Sequence, residues 1–472
     1  MKPKPNTLQG ASLKKRLDWI TTIIPFICIV ILCFLFMAFP QGSTSILESV
    51  RFFLGDQLGS YYLVIGLGAL ICSFYMAFSR YGKIKLGSLE KPQYSAFQWG
   101  SMMFTAGLAA DILFYSLCEW MLYANESHIT DMGSRQDWAS TYPLFHWGPI
   151  PWSFYIILAV SFGFMIHVRK RSKQKYSEAC RPLLGKRVDG IFGKLIDLTA
   201  VFALLAGTAT TFSLATPLLS MALSRVFGIE ESNLLTISIL VVICVVYTMA
   251  VYFGMKGVAK LAASCVYLFF ALLAYFLFLG GETRYIIETG ITAIGNLTQN
   301  FIGMATWTDA MRTSSFPQSW TIFYWAYWMV WCVATPFFIG TISKGRTIRQ
   351  TVLGGYFFGL AGTFTSFIIL GNYGLGLQMH GKLDLMALYE KTGSLYEAII
   401  AVFETMPLAQ AGLVLLAVTM IAFYATSFDA LTMVASSYSY KALGADEEPD
   451  KSVKLFWAVM PVSYTHLTLP TN

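Results

Sequence analysis

Stretches of about twenty mostly apolar residues recur along this 472-residue chain, each long enough to cross roughly 30 Å of hydrocarbon. They fall at 19–39, 59–79, 97–123, 148–168, 195–222, 234–255, 260–280, 320–342, 352–377 and 408–436, and an eleventh starts at Leu455. Inside a bilayer the backbone must satisfy its own hydrogen bonds, which leaves helices or a closed barrel. Long apolar runs without period-2 alternation exclude the barrel. The expected fold class is an all-α polytopic membrane protein. With 56% hydrophobic and only 12% charged residues, the chain is too apolar for a soluble domain of this size. The first run is too long for a signal peptide, lacks a small-residue cleavage site and is followed by nine more.

Basic residues set the orientation. The segments 1–18, 80–96, 169–194, 256–260, 343–350 and 437–454 hold 26 of the 33 Lys and Arg residues. They are alternate connections between the spans, so the positive-inside rule places them, and the N-terminus, in the cytoplasm. The expected location is the cell inner (plasma) membrane, multi-pass. The net charge of +7 is then a topology signal and needs no nucleic-acid partner. Seven of the eight cysteines lie within spans, without metal spacing, and read as small packing residues. Surface helices are expected near Tyr285–Ile302 and within 378–407.

Four acidic residues fall within spans, where charge is expensive: Asp111, Glu119, Asp197 and Asp429. The last two lie near cytoplasmic ends and Glu119 near an outer end, positions that suit structural roles. Asp111 sits near mid-span in AGLAADILFY, with no basic residue within a turn or two. It is either buried in its neutral form or faces a cavity that holds a cation. The preceding small residues, Thr105 to Ala110, permit close helix packing or a local unwinding that turns carbonyls towards a ligand.

The stretch FPQSWTIFYWAYWMVW, residues 316–331, is half aromatic. Trp320, Tyr324, Tyr327, Trp328 and Trp331 recur at helical spacing on one face. An interface belt explains Trp320 but not Trp331, which lies roughly 16 Å deeper. The deep rings are core or lipid-facing residues, or a cage whose faces attract a quaternary ammonium cation. FHWGPIPWSFY adds Trp147, Trp152 and Tyr155 at the start of the fourth span. Only His146 and His167 lie near spans, at opposite faces, so no enzyme, catalytic residue, metal site or cofactor is expected.

FPQSWTIFYWAYWMVW followed by ISKGRTIRQ resembles the signature of the betaine/choline/carnitine transporter family. FHWGPIPW, PLLGKRVDGIFGKLIDL, SLATPL and FYATSFDA match it too, in family order. The resemblance implies twelve helices in a LeuT-like inverted-repeat arrangement, often as a homotrimer. The chain is expected to hold ten complete helices and the start of an eleventh. The transporter domain is then 1–461, incomplete at its C-terminus. The final VSYTHLTLPTN, 462–472, reads as a translated sequencing adapter and an artefactual tail.

Carried over residue by residue, the resemblance implies a central substrate cage of Trp147, Tyr327, Trp328 and Trp331. Tyr327 stands where the family usually has Trp. Trp152 and Tyr155 match the access route, and Trp320 an outer substrate position. Thr426 and Ser427 match hydroxyls that, in sodium-coupled members, complete a sodium site with carbonyls near Thr105 and Leu108. Sodium-coupled betaine carriers resemble AGMGIG where this chain has Ala106-Gly-Leu-Ala-Ala-Asp111, and an Asp at this last position is similar to the choline-carrying, proton-coupled branch. SLATPL and FHWGPIPW are closer to the carnitine exchangers. There an arginine takes over sodium's role, where KGVAKL has Ala259 and, one residue on, Lys260.

The expected function is secondary transport of small trimethylammonium compounds across the lipid bilayer. Proton-coupled or sodium-independent uptake of a choline-like cation ranks first, carnitine-style substrate/product exchange second and sodium symport third.

Overall fold

The computed structural model describes residues 12–468 apart from 108, 172, 253–254 and 445–446. Side chains at 250–252, 255–256, 429–430 and 461–468, Asp429 among them, also lie outside the described set. The described chain is a nearly all-helical membrane protein, and each of the ten apolar runs falls on helix. Among the described residues, seven helical segments and two bent pairs are long and apolar enough to cross a membrane, and the sixth run forms Asn233–Tyr252. The connections at 281–319 and 378–407, where surface helices are expected, carry the helices Thr283–Thr306, Leu385–Thr392 and Leu395–Glu404. Among the described residues, strand-like pairing is limited to the isolated bridges Leu17↔Tyr440 and Lys85↔Thr347.

The helix Pro149–Gly163 sits in the middle of the bundle, packed by Gly59–Phe78, Ala334–Ile342 and Ile348–Ser366. Burial separates inner spans from peripheral ones: 72% of the apolar window in Arg135–Val168 is buried, against 22% in Trp19–Ala38. The outer side chains of Trp19–Ala38, such as Phe34 and Met37, face out as lipid contact requires. A second group forms around Ala409–Tyr438, which packs on Ile191–Phe227, Asn233–Tyr252 and Met255–Leu279. There FYATSF meets SLATPL and the Phe212 just before it: Phe428 stacks on Phe212 at 4.5 Å, and the Tyr424 and Thr216 hydroxyls bond at 3.0 Å.

Three elements break where the sequence leaves the backbone little choice. Ala96–Ala106 and Ala110–Ala124 meet at 59°, with Gly107 at the end of the first. The aromatic span, expected as one helix over 320–342, instead bends by 55° between Ile322–Val330 and Ala334–Ile342. Pro336 explains this, since it has no N–H for the Cys332 carbonyl and its ring clashes with that turn. Gly148, extended ahead of Pro149, separates Arg135–His146 from Pro149–Gly163.

ISKGRTIRQ ties one end of the bundle together. Gly345 adopts a φ of +88°, open to glycine without strain, and its N–H reaches the Leu86 carbonyl at 2.6 Å. Arg346 lies 4.0 Å over the Trp99 ring and bonds the Tyr94 and Ser95 carbonyls. Thr347 and Gln350 form a reciprocal capping box for Ile348–Ser366.

Trp152 is fully buried in a slot between two glycines. A Cβ on Gly107 would come within 2.0 Å of its ring, and one on Gly359 within 2.5 Å. A rigid indole cannot give way to an added methyl. Gly359→Ala is therefore expected to destabilise the protein by about 1–3 kcal/mol, read as a lowered Tm in detergent; an unchanged Tm would mean the slot is loose.

Candidate functional site

The three breaks surround one cavity. Its wall includes Thr105, Gly107 and Asp111 from the first break, Trp147 and Tyr155 from the second, and Tyr327, Trp328, Trp331 and Thr335 from the third. Thr426 and Ser427 of Ala409–Tyr438 complete it. The cavity and its open mouth together hold about 670 Å³ of space free of atoms.

Breaks matter because they place side chains that a continuous helix would direct elsewhere. Trp147 caps the helix Arg135–His146, and Trp331 caps Ile322–Val330. The Trp328 ring lies 5.5 Å from Trp147, 4.9 Å from Tyr155 and 5.6 Å from Trp152, all inclined or edge-on. Such rings keep parts of their negative faces turned away from each other. Gly207 lets the neighbouring helix close on Trp331, since a Cβ there would sit 3.1 Å from the indole.

Asp111 is buried in the first turn of Ala110–Ala124, where the helix dipole favours a carboxylate. The Tyr327 hydroxyl donates to its Oδ2, and its Oδ1 has no hydrogen-bond partner among the described residues. Opposite, the hydroxyls of Thr426 and Ser427 both donate to the Phe423 carbonyl at 3.0 Å, and Thr105 donates to Ser101 at 3.0 Å. Their hydrogens are engaged within their own helices, so only oxygen lone pairs remain for a ligand. The arrangement can hold a compact cation between ring faces and one carboxylate.

The model of the BCCT family, the betaine/carnitine/choline family transporters, matches residues 20–470. The chain belongs to this family. It is 31% identical over 431 residues to the glycine betaine transporter OpuD of Bacillus subtilis, covering 89% of this chain and 82% of that one. It is 27% identical to a carnitine transporter of Acinetobacter baumannii over 84% of this chain and 72% of the relative. A probable glycine betaine transporter of Desulfitobacterium hafniense is 29% identical over 90% and 85%. The protein is thus a multi-pass membrane transporter of the BCCT family, and no enzyme.

In this BCCT protein the four cage positions expected from the sequence, Trp147, Tyr327, Trp328 and Trp331, all reach the cavity, as do Asp111, Thr105, Thr426 and Ser427. Tyr155, assigned to the access route, stands on the same wall. Trp152 does not; it backs Trp328 from its glycine slot. Trp320 lies away from the cavity, edge-on to Tyr123, with its indole N–H donated to Glu126 at 2.7 Å. Leu108 lies outside the described residues. Lys260 is exposed and absent from a wall that Val258 and Ala262 help to form. Tyr115 escaped the sequence reading, in which Glu119 is only a structural acid. Tyr115 packs against Trp147, Tyr324 and Tyr327, one turn beyond Asp111 on the same half-helix. Glu119, one turn further, bonds the Trp147 indole N–H at 2.8 Å. Both follow Asp111 at i+4 and i+8, a same-face spacing that could have signalled them.

Proposed function

We propose that this BCCT transporter carries a choline-like trimethylammonium cation, driven by a proton gradient or independently of sodium. The observation that carries this reading is that the Asp111 carboxylate opens on the same cavity as Trp147, Tyr327, Trp328 and Trp331. Ring faces attract trimethylammonium whatever the rest of the molecule carries, at about 0.5–2 kcal/mol per contact. A buried carboxylate attracts a guest with net positive charge more than it attracts betaine or carnitine, whose own carboxylate it repels. It is also a group that can take up and release a proton within the transport cycle. The cytoplasmic N-terminus and inner-membrane location rest on the distribution of Lys and Arg.

A second reading, transport of glycine betaine or carnitine, is favoured by the relatives' names and by Thr426, Ser427 and Thr105 on the cavity wall. In it, the three hydroxyl oxygens assist sodium or exchange coupling. Uptake of labelled choline, glycine betaine and carnitine into proteoliposomes decides between them, with pH and sodium gradients imposed separately. Choline uptake that rises with an inward proton gradient and ignores sodium is the expected result. Sodium-driven betaine uptake without choline uptake would replace the first reading by the second.

A further inference from the structure

Glu119 is fully buried two turns beyond Asp111, and among the described residues no Lys or Arg pairs with it. Its two oxygens are each taken: Trp147 Nε1–H donates to Oε2 at 2.8 Å, and the Tyr123 hydroxyl donates to Oε1 at 2.6 Å. The same Tyr123 oxygen lies 2.5 Å from His146 Nδ1, and His146 Nε2 lies 2.9 Å from the Thr321 hydroxyl. With Glu119 ionised, one set of roles satisfies these contacts: Tyr123 gives its only hydrogen to Glu119, His146 donates from Nδ1 to Tyr123, and Thr321 donates to His146 Nε2.

The chain of bonds begins at one cage ring and ends at the base of the helix that carries the others. Thr321 directly precedes Ile322–Val330, on which Tyr327 and Trp328 stand. Among the described residues the Trp147 indole nitrogen bonds this carboxylate alone, so Glu119 fixes the angle at which the ring meets the cavity. An indole whose N–H is drawn to an anion also becomes more electron-rich, which strengthens the face that a cation meets.

We infer that Glu119 is a positioning and specificity residue: it holds Trp147 and supplies a second negative charge behind the cage, favouring guests with net positive charge. The inference rests on the cage reading proposed above. It is tested by binding of radiolabelled choline and glycine betaine to the purified protein and to Glu119→Gln, Glu119→Asp, Trp147→Phe, Trp328→Leu, Trp328→Phe and the double variant Glu119→Gln/Trp147→Phe. Glu119→Gln should weaken choline on the order of tenfold and betaine by no more than about threefold, as loss of a remote charge at intermediate dielectric implies. Glu119→Asp should restore the wild-type ratio of choline to betaine affinity, which a merely structural role would not do. The double variant should lose less than the product of the two single losses, because both act through one contact. Equal weakening of choline and betaine by Glu119→Gln, or fully additive losses, would overturn the inference. If Trp328→Leu binds choline as the wild type does, the cage reading itself fails. If Trp328→Leu loses binding that Trp328→Phe keeps, while Glu119→Gln keeps the wild-type ratio, only the role of Glu119 fails.

Discussion

Replacing Trp328 by Leu is expected to raise the half-saturation concentration for trimethylammonium substrates by about thirtyfold, while Trp328→Phe stays within about tenfold of wild type. Trp328 touches Trp147, Trp152 and Tyr155, and so anchors the aromatic wall as well as contributing to it. Leucine keeps an apolar side chain in place but has no ring face, and loses about 2 kcal/mol of attraction to a desolvated cation. Phenylalanine keeps a smaller face. Trp328→Ala would add a cavity costing about 3–5 kcal/mol of stability, so the Leu and Phe pair separates recognition from folding. Equal uptake by the Leu and Phe variants would show that the wall is apolar packing only.

Asp111→Gly is expected to lower choline affinity by up to about a hundredfold, to spare or improve glycine betaine, and to remove any response to an imposed pH gradient. Two unit charges about 5 Å apart at an effective dielectric near 20 attract by roughly 3 kcal/mol, which sets the upper limit. The glycine variant also frees the Tyr327 hydroxyl, now donated to Asp111 Oδ2. Asp111→Asn keeps a partner for that hydroxyl and removes only the charge, so it should reproduce the choline loss with less disturbance. Unchanged choline uptake and an unchanged pH response in both variants would remove Asp111 from recognition and coupling alike.

The spans were legible because a bilayer imposes one length and one composition, and each apolar run does fall on helix. Pairing at helical spacing likewise anticipated that Tyr327, Trp328 and Trp331 share a wall. What a linear reading missed was tertiary. The bend at Pro336 was absent from the expectation of one helix over 320–342, although the proline that causes it was in view. Trp152 was placed on the access route because it matches a family position that lines it. Its actual slot is made by Gly107 and Gly359, which lie 252 residues apart in sequence. Glu119 read as an outer-end structural acid because sequence cannot show that Trp147, 28 residues on, turns its N–H to that carboxylate.

The central claim is that the cavity recognises positive charge rather than shape, and one competition measurement tests it directly. Uptake of labelled choline into proteoliposomes is challenged with unlabelled choline and with its neutral carbon isostere, in which a tert-butyl group replaces trimethylammonium. The two have nearly the same volume and differ in charge. We expect the isostere to compete at least about a hundredfold less well, since it gains neither the ring faces nor Asp111. Competition by the isostere as strong as that by choline would contradict a charge-selective cage.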